Sequence, residues 1–249
     1  MEKKHIHIVN TMDNTDIHSH ILYGIDDGSK TIEQSINILK KCEQEGISKM
    51  ILTPHYIENT DYNKNNQEKN ELFNILKEEA KKQNINIELY LGNEVYASDN
   101  IEELIQKKEI ATLNNSRYML IEFPLLNENL NDINIIYNLK LSNITPIIAH
   151  PERYEYITID KIIEYIKMGA LIQINEGSLL NYYGKKAKKI AKQLLKNRLV
   201  HFIGSDIHRI DDVNNQLNIK KKMIKYSNLN YYLWIKENAN KVINNEEIG

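Results

Sequence analysis

Short apolar runs alternate with longer amphipathic segments along this chain, beginning at about residue 15. The apolar runs have the length and residue types of β-strands. They predict strands at residues 16–19, 49–53, 86–91, 118–123, 145–149, 171–175 and 201–204. The segments between them space their apolar residues as one face of a helix does. They predict helices at residues 31–45, 67–83, 101–107, 132–141, 160–167, 185–196, 214–226 and 231–242.

Short strands that alternate with helices of this length favour parallel pairing and an α/β fold. Seven such units follow one another without a linker rich in proline or glycine, which favours one barrel-like domain over two domains. We find no sequence repeat and no long low-complexity tract. The most polar stretch, residues 58–70, predicts a mobile loop that leads into the second helix.

Composition narrows the possible functions. The chain has 249 residues, with 32 Lys and Arg against 34 Asp and Glu, and its formal net charge is -2. It therefore lacks the basic surplus of a general nucleic-acid-binding protein. A single cysteine cannot form an internal disulfide. Because no run suits a signal peptide or a membrane span, we expect a soluble, cytoplasmic protein without membrane insertion.

Histidines and carboxylates cluster where the predicted strands end. In chain order they are His18, His20, Asp26, Asp27, His55, Glu94, Glu122, His150, Asp206 and His208. Active sites of α/β barrels lie at this end of the strands. Residues two apart in a strand project to the same side, so His18 and His20 can reach one ion. A single such residue is usually a helix cap or a loop residue, but six strands that each supply one predict a metal site.

Two other features could indicate a metal site or a phosphatase nucleophile, but their sequence patterns do not fit those roles. His5-Ile6-His7 repeats the His-x-His spacing, but no Asp-Asp-Gly follows it, so we interpret it as structural or disordered. Cys42 fails the Cys-x5-Arg pattern of cysteine phosphatases because Ser48 stands where the arginine would be. No Asp-x-Asp pair of the aspartyl-phosphate type occurs. Cys42 is predicted to be a core thiol in a helix, and no protein nucleophile is expected.

A series of motifs resembles one family closely: DIHSHILYGIDDGSKTIEQS, TPHY, GNEVY, RYMLIEFP, ITPIIAHPERY and IGSDIHR, in that order. The family is the PHP (polymerase and histidinol phosphatase) superfamily, and within it the bacterial CpsB/CapC-type protein-tyrosine phosphatases of capsule and exopolysaccharide loci. The resemblance makes residues 1–15 an N-terminal extension and residues 16–249 the phosphatase domain. The departures are small: Tyr23 replaces a common proline, and Ser29 stands where a small residue is usual.

The resemblance implies a distorted (β/α)7 TIM-like barrel, a single domain, that holds three metal ions, usually manganese. The implied ligands are His18, His20, Glu94 and Asp206 for the first ion, Glu94 (bridging), Glu122 and His150 for the second, and Asp27, His55 and His208 for the third. Imidazole and carboxylate ligands also suit Fe or Zn, and the sequence does not choose among these metals. Asp26 is expected to support a turn instead of binding metal.

The implied reaction is the hydrolysis of phosphotyrosine in a protein by a metal-bound hydroxide. Arg153 is the candidate catalytic residue, since a guanidinium can bind two phosphate oxygens and offset charge in the transition state. The alternative for Arg153 is a surface salt bridge with Glu152 or Glu155. Asn175 is expected near the pocket and Glu176 is expected to be a solvated loop residue. The tyrosine pairs at 182–183 and 231–232 are interpreted as packing and surface residues.

The resemblance also implies a partner, a bacterial tyrosine autokinase that controls polysaccharide synthesis. Two alternatives stay open. One is a histidinol-phosphate phosphatase or another phosphoesterase, such as a nuclease, on the same scaffold. The other is a non-catalytic adaptor stabilised by metal, against which the full set of candidate ligands argues. The oligomeric state cannot be read from the sequence.

Overall fold

The computed structural model describes residues 14–249, so the predicted His5-Ile6-His7 feature lies outside the described residues. The described chain contains nine strands: β1 Thr15–Asp16, β2 Lys49–Leu52, β3 His55–Tyr56, β4 Glu88–Leu91, β5 Glu94–Tyr96, β6 Tyr118–Glu122, β7 Thr145–Ile148, β8 Leu171–Asn175 and β9 Phe202–Gly204. All of them pair in parallel, in one sheet of order β1-β2-β4 and a second of order β3-β5-β6-β7-β8-β9.

The two parallel sheets follow one another as one curled parallel sheet, and the first and last strands of this curled sheet approach each other. Beyond β1 and β9, Ser19 and Ile207 form a parallel bridge. The Asp206 amide donates to the His18 carbonyl at 2.9 Å, and the His20 amide donates to the Ile207 carbonyl at 2.8 Å. The fold is therefore a single α/β domain with a curled parallel sheet. The chain segments that follow the first and last strands lie side by side.

Two of the predicted strands are each followed by a short second strand that was not predicted. β2 stops before Thr53-Pro54 and β3 follows it, while β4 stops before Gly92-Asn93 and β5 follows. Proline has no amide hydrogen to donate to a ladder, which explains the first break. At the second break, a Cβ on Gly92 would lie 2.7 Å from the Leu113 side chain, so the backbone passes too close for any larger residue. The two short strands after these breaks, β3 and β5, carry His55 and Glu94.

Nine α-helices cover the strands in the described chain: α1 Ile32–Gln44, α2 Asn66–Lys82, α3 Ile101–Gln106, α4 Asp132–Leu141, α5 Ile159–Lys167, α6 Glu176–Leu180, α7 Gly184–Lys196, α8 Gln216–Tyr226 and α9 Leu229–Asn244. Eight coincide closely with the predicted helices. Local signals explain several starts: Thr31 caps α1, and Asn65 forms a capping box with Glu68 at the start of α2. α2 thus begins inside the polar stretch 58–70.

Helix α6 was not predicted, and the expectation that Glu176 is a solvated loop residue was wrong. Glu176 opens α6 and is buried. Its carboxyl accepts hydrogen bonds from Gln216 at 2.9 Å and from Asn214 at 3.2 Å, so it links β8 to the segment before α8. Burial, together with the nearby carboxyl of Asp16, raises the pKa of Glu176 to about 7.

The largest apolar cluster packs the helices against strands β5 to β9 and includes Phe123, Tyr154 and Tyr165. A second cluster lies under α1 and α2 and contains Cys42, which is fully buried. Burial raises the pKa of the Cys42 thiol, which confirms a core thiol and gives no reactive thiolate. Among the described helices, none is both long and apolar enough to cross a bilayer.

Candidate metal centre

All nine side chains proposed as metal ligands lie together at the carboxyl end of the curled sheet. Each belongs to at least one group whose potential ligand atoms lie within 4.8 Å of one another. The groups are His18, His20 and Asp206; His18, Glu94 and His150; His55, Glu94 and Glu122; and His20, Asp27, His55 and His208. Parallel strands end at the same edge, which is why residues far apart in the sequence converge here.

Glu94, at the start of β5, is the centre of this cluster. Its Oε2 atom lies 3.3 Å from Nε2 of His18 and 3.2 Å from Nε2 of His20. Its Oε1 atom lies 3.0 Å from Nε2 of His150. Oε2 is also 3.0 Å from Nδ1 of His55. One carboxylate therefore faces four imidazoles.

The remaining donors surround this centre on two sides. Oδ1 of Asp206 lies 3.5 Å from Nε2 of both His18 and His20. On the more exposed side, Oδ1 of Asp27 is 3.3 Å from Nε2 of His208 and 3.7 Å from Nε2 of His55. Only the Asp27 side chain, 52% exposed, opens widely to solvent.

The donor atoms fit divalent metal ions better than they fit one another. Oε2 of Glu94 and Nδ1 of His55 are fully buried, and within the described chain neither has a hydrogen-bond partner of acceptable geometry. Buried polar atoms left unpaired are costly, and a cation shared among them would remove that cost. Mixed imidazole and carboxylate donors are the ligands that Mn, Fe and Zn accept.

Burial and the neighbouring charges strongly shift the pKa values of side chains in the cluster. Burial and the neighbouring Glu94 carboxylate raise the pKa of Glu122 to about 8. Burial favours neutral His18, but the Glu94 and Asp206 carboxylates outweigh it and raise the pKa of His18 to about 9. Without cations, protons would have to neutralise this group of carboxylates. Metal ions supply the same compensation and leave the imidazole nitrogens free to ligate.

Residues just outside the cluster fix the imidazoles. Nδ1 of His18 lies 2.9 Å from Oε1 of Gln173, and Nδ1 of His20 lies 2.8 Å from Oδ2 of Asp26, so both rings present Nε2 to the centre. Asp26 also accepts from the backbone amides of His55 at 2.9 Å and Gly28 at 3.0 Å. This confirms Asp26 as a turn-supporting residue that orients a histidine. Sequence reasoning missed Gln173, because it lies inside a strand and not at its end.

The backbone at the strand ends is also unusual. His150 and Asp206 have φ angles of 32° and 56°, in the left-handed region that residues other than glycine seldom adopt. Such conformations concentrate at functional sites, where the surrounding structure holds them. Gly28 makes a comparably tight approach, since a Cβ there would lie 1.8 Å from the His20 carbonyl oxygen.

Arg153 lies beside the cluster and not in a surface salt bridge with either glutamate. Its Nη1 donates to Oδ2 of Asp206 at 2.8 Å. Glu152 is buried and accepts from the Asn175 amide and the Ser178 hydroxyl, while Glu155 pairs with Lys186 at 2.7 Å. The alternative of a surface salt bridge is therefore wrong, because both carboxylates have other partners.

Tyr183 is a site residue that sequence reasoning missed by treating the 182–183 pair as packing and surface residues. The Arg153 guanidinium lies 4.3 Å from the centre of its ring, and its hydroxyl is 3.3 Å from Oδ2 of Asp206. Asn175 donates to the same oxygen at 2.6 Å, as expected of a residue near the pocket. A cavity of about 260 Å³ opens over these groups, lined by Asp27, Arg153, Tyr183, Asp206, His208, Arg209 and Asp212.

Comparison with known proteins places this geometry in a family. CapC of Staphylococcus aureus is 36% identical over 240 residues, covering 94% of this chain and 92% of that protein. The tyrosine-protein phosphatase CpsB of Streptococcus agalactiae serotype V is 34% identical over 204 residues, covering 79% of this chain and 83% of that protein. The crystal structures of YwqE from Bacillus subtilis and CpsB from Streptococcus pneumoniae, described as metal-dependent tyrosine phosphatases, include a chain that superposes with a TM-score of 0.86. That chain is 28% identical, and the match covers 94% of this chain and 96% of that one. The sequence profile described as "Capsular polysaccharide synthesis, CpsB/CapC" matches residues 14–244, and the chain therefore belongs to the CpsB/CapC family.

Proposed function

We propose that this protein is a metal-dependent protein-tyrosine phosphatase, which hydrolyses O-phosphotyrosyl protein to tyrosyl protein and phosphate. One observation carries the proposal: the Arg153 guanidinium lines a cavity together with three members of the imidazole and carboxylate cluster, Asp27, Asp206 and His208. An anionic phosphoryl group fits between those two features. Phosphatase activity also agrees with the names of the CpsB and YwqE relatives.

We propose that the cluster holds three ions, with manganese favoured and Fe or Zn possible. His18, His20, Glu94 and Asp206 would hold the first, Glu94, Glu122 and His150 the second, and Asp27, His55 and His208 the third. When bound, such ions neutralise phosphate charge and make a nearby water more acidic. The placement of Glu94 among four imidazoles supports its role as the bridge.

The chain's own residues would position the phosphoryl group. Arg153 can donate two parallel hydrogen bonds to phosphate oxygens, and the Tyr183 ring keeps its guanidinium plane in place. Asn175 and Tyr183 contact the outer oxygen of Asp206 as well, so this carboxylate would stay in position while Arg153 binds phosphate. The departing phenolate, with a pKa of about 10, is a weaker base than an alkoxide, so its departure depends less on a general acid than that of an alkyl alcohol would.

We infer that the curled sheet closes into the distorted (β/α)7 barrel of the PHP fold. β2 with β3 and β4 with β5 would each count as one interrupted strand, which gives seven strands, and the bridge between Ser19 and Ile207 supports closure. We propose residues 16–249 as the phosphatase domain. The substrate we favour is a bacterial tyrosine autokinase of capsule or exopolysaccharide synthesis. The protein would act on it in the cytoplasm, where ATP-dependent kinases work.

A substrate comparison tests the proposal. The manganese-supplemented protein is offered a phosphotyrosyl peptide, the same peptide with phosphoserine, histidinol phosphate and single-stranded DNA, and the release of phosphate or nucleotide is measured. Preference for the phosphotyrosyl peptide supports the assignment. Preference for histidinol phosphate or DNA, or no turnover at all, contradicts it.

A further inference from the structure

A second cavity adjoins the proposed catalytic cavity and has no role in the chemistry above. Its volume is about 500 Å³, and it lies between helix α1 and the 3-10 turn Ile210–Asp212. Asp27, His208 and Arg209 line both cavities, so the two lie side by side. A polypeptide that places a phosphotyrosine over the metal cluster can therefore extend directly into the second cavity.

Most of the surface that lines the second cavity consists of carbon atoms, and its two apolar residues are Ile38 and Ile210. Ile38 is 2% exposed at its base, and Ile210, which is 42% exposed, forms part of its wall. The Lys30 ammonium donates to the Asp26 carbonyl at 2.5 Å, which leaves the alkyl chain of Lys30 free for apolar contact. An aliphatic side chain that enters this space would gain stability by leaving water.

The wall on the far side of the cavity is fixed and does not have to form when a ligand binds. Lys41 on α1 donates from Nζ to the Ile210 carbonyl at 3.0 Å. The Asp212 carboxylate accepts from the amides of His208 at 3.1 Å and Arg209 at 2.7 Å. The turn that carries Ile210 is therefore anchored both to α1 and to the segment that carries His208. Because the cavity is preformed, little of the free energy of binding is lost in ordering its walls.

We propose that this flanking cavity, whose lining includes Lys30, Asn37, Ile38 and Ile210, binds an aliphatic side chain of the substrate polypeptide close to the phosphotyrosine. The inference rests on the proposed phosphatase function and adds a sequence preference to it. The proposed contact requires a polypeptide substrate, because a small phosphate ester would leave the flanking cavity empty.

The test uses the full-length, manganese-supplemented protein and a set of phosphotyrosyl peptides in which one leucine is moved along an otherwise serine- and glycine-rich sequence. Each kcat/KM is divided by that for p-nitrophenyl phosphate. Two variants alter the flanking cavity: Ile210→Asp adds a charge to its wall, and Asn37→Trp fills it from an exposed position on α1. The matched control is Ile75→Asp, at a 51% exposed position on α2.

We expect one leucine position, or two adjacent ones, to raise the ratio about tenfold in the wild type. Ile210→Asp and Asn37→Trp should both remove that preference, and Ile75→Asp should keep it. Equal ratios for all peptides, or a leucine preference that survives in both cavity variants, would overturn the inference while the phosphatase assignment stands. If neither p-nitrophenyl phosphate nor any peptide is hydrolysed, the proposed function itself fails.

Discussion

The guanidinium of Arg153 donates a 2.8 Å hydrogen bond to Oδ2 of Asp206, while Oδ1 of the same carboxylate faces Nε2 of His18 and His20 at 3.5 Å. Asp206 thus divides its two oxygens between the proposed phosphate clamp and the proposed metal donors. Burial alone would raise the pKa of Asp206, but the surrounding imidazoles lower it to about 2. This contact joins substrate binding to the metal cluster.

Arg153→Ala should lower kcat/KM for a phosphotyrosyl peptide by about 100-fold, because a positioned donor to the developing charge is lost. Arg153→Lys should recover only part of the loss, since an ammonium cannot form the bidentate contact. Metal content, measured by elemental analysis, should not change. The matched control is Arg198→Ala at an exposed position. Wild-type kinetics in Arg153→Ala would remove Arg153 from the mechanism.

Tyr183→Ala should reduce kcat/KM by about tenfold, because the ring that supports the Arg153 guanidinium is removed. Tyr183→Phe keeps the ring and loses only the 3.3 Å contact from its hydroxyl to Asp206, so its loss should be smaller. Tyr182→Ala, at a 58% exposed position, provides the control. The comparison is made by steady-state kinetics, and equal losses in the Phe and Ala variants would contradict a role for the ring.

His18→Ala and Asp206→Ala should each abolish turnover and reduce the amount of metal bound per protein, since both side chains face the same space. His201→Ala is the control, because His201 lies outside the cluster and accepts a hydrogen bond from the backbone amide of Ile172. Metal content is measured after purification in manganese. Full activity with full metal content in either cluster variant would refute the ligand assignment.

Glu176 predicts a pH dependence of stability that is separate from the metal cluster. Burial, assisted by Asp16, raises its pKa from 4.5 to about 7, so the folded protein holds this proton more tightly than the unfolded chain does. The stabilisation is complete below about pH 4.5 and is lost as the pH rises through 7. Glu176→Gln cannot titrate. The wild type should therefore lose about 3 kcal/mol relative to this variant between about pH 5 and pH 8.

Chemical unfolding of both proteins across this pH range, at one fixed manganese concentration, measures that difference. Changes in metal binding affect both proteins alike and cancel in the comparison. A difference in unfolding free energy that does not vary with pH would show that Glu176 is ionised in the folded protein.

The sequence was sufficient to predict the location of the centre, because the carboxyl ends of parallel strands must meet at one edge. His18, Glu94 and Asp206 could be selected on that ground alone. The contacts of Tyr183 could not be predicted, since they depend on how the segment after α6 folds back over β9. Helix α6 itself is only five residues long, too short to show a helical period.

Other differences between the predicted and the observed structure also trace to particular residues. The two strands that were not predicted, β3 and β5, begin after breaks at Pro54 and at the close approach of Gly92 to Leu113. The burial of Glu176 depended on partners, Asn214 and Gln216, that lie about forty positions away and carry no pattern of their own. Neutral amide side chains of this kind look like surface residues until tertiary structure pairs them with a carboxyl.

The central claim is that phosphotyrosine hydrolysis depends on metal held by this cluster. The most direct measurement is phosphate release from a phosphotyrosyl peptide by the wild-type protein as purified, after chelation and dialysis, and after manganese is returned. We predict that chelation abolishes turnover and that manganese restores it in proportion to the metal bound. Undiminished turnover by protein shown to contain no metal would contradict the account.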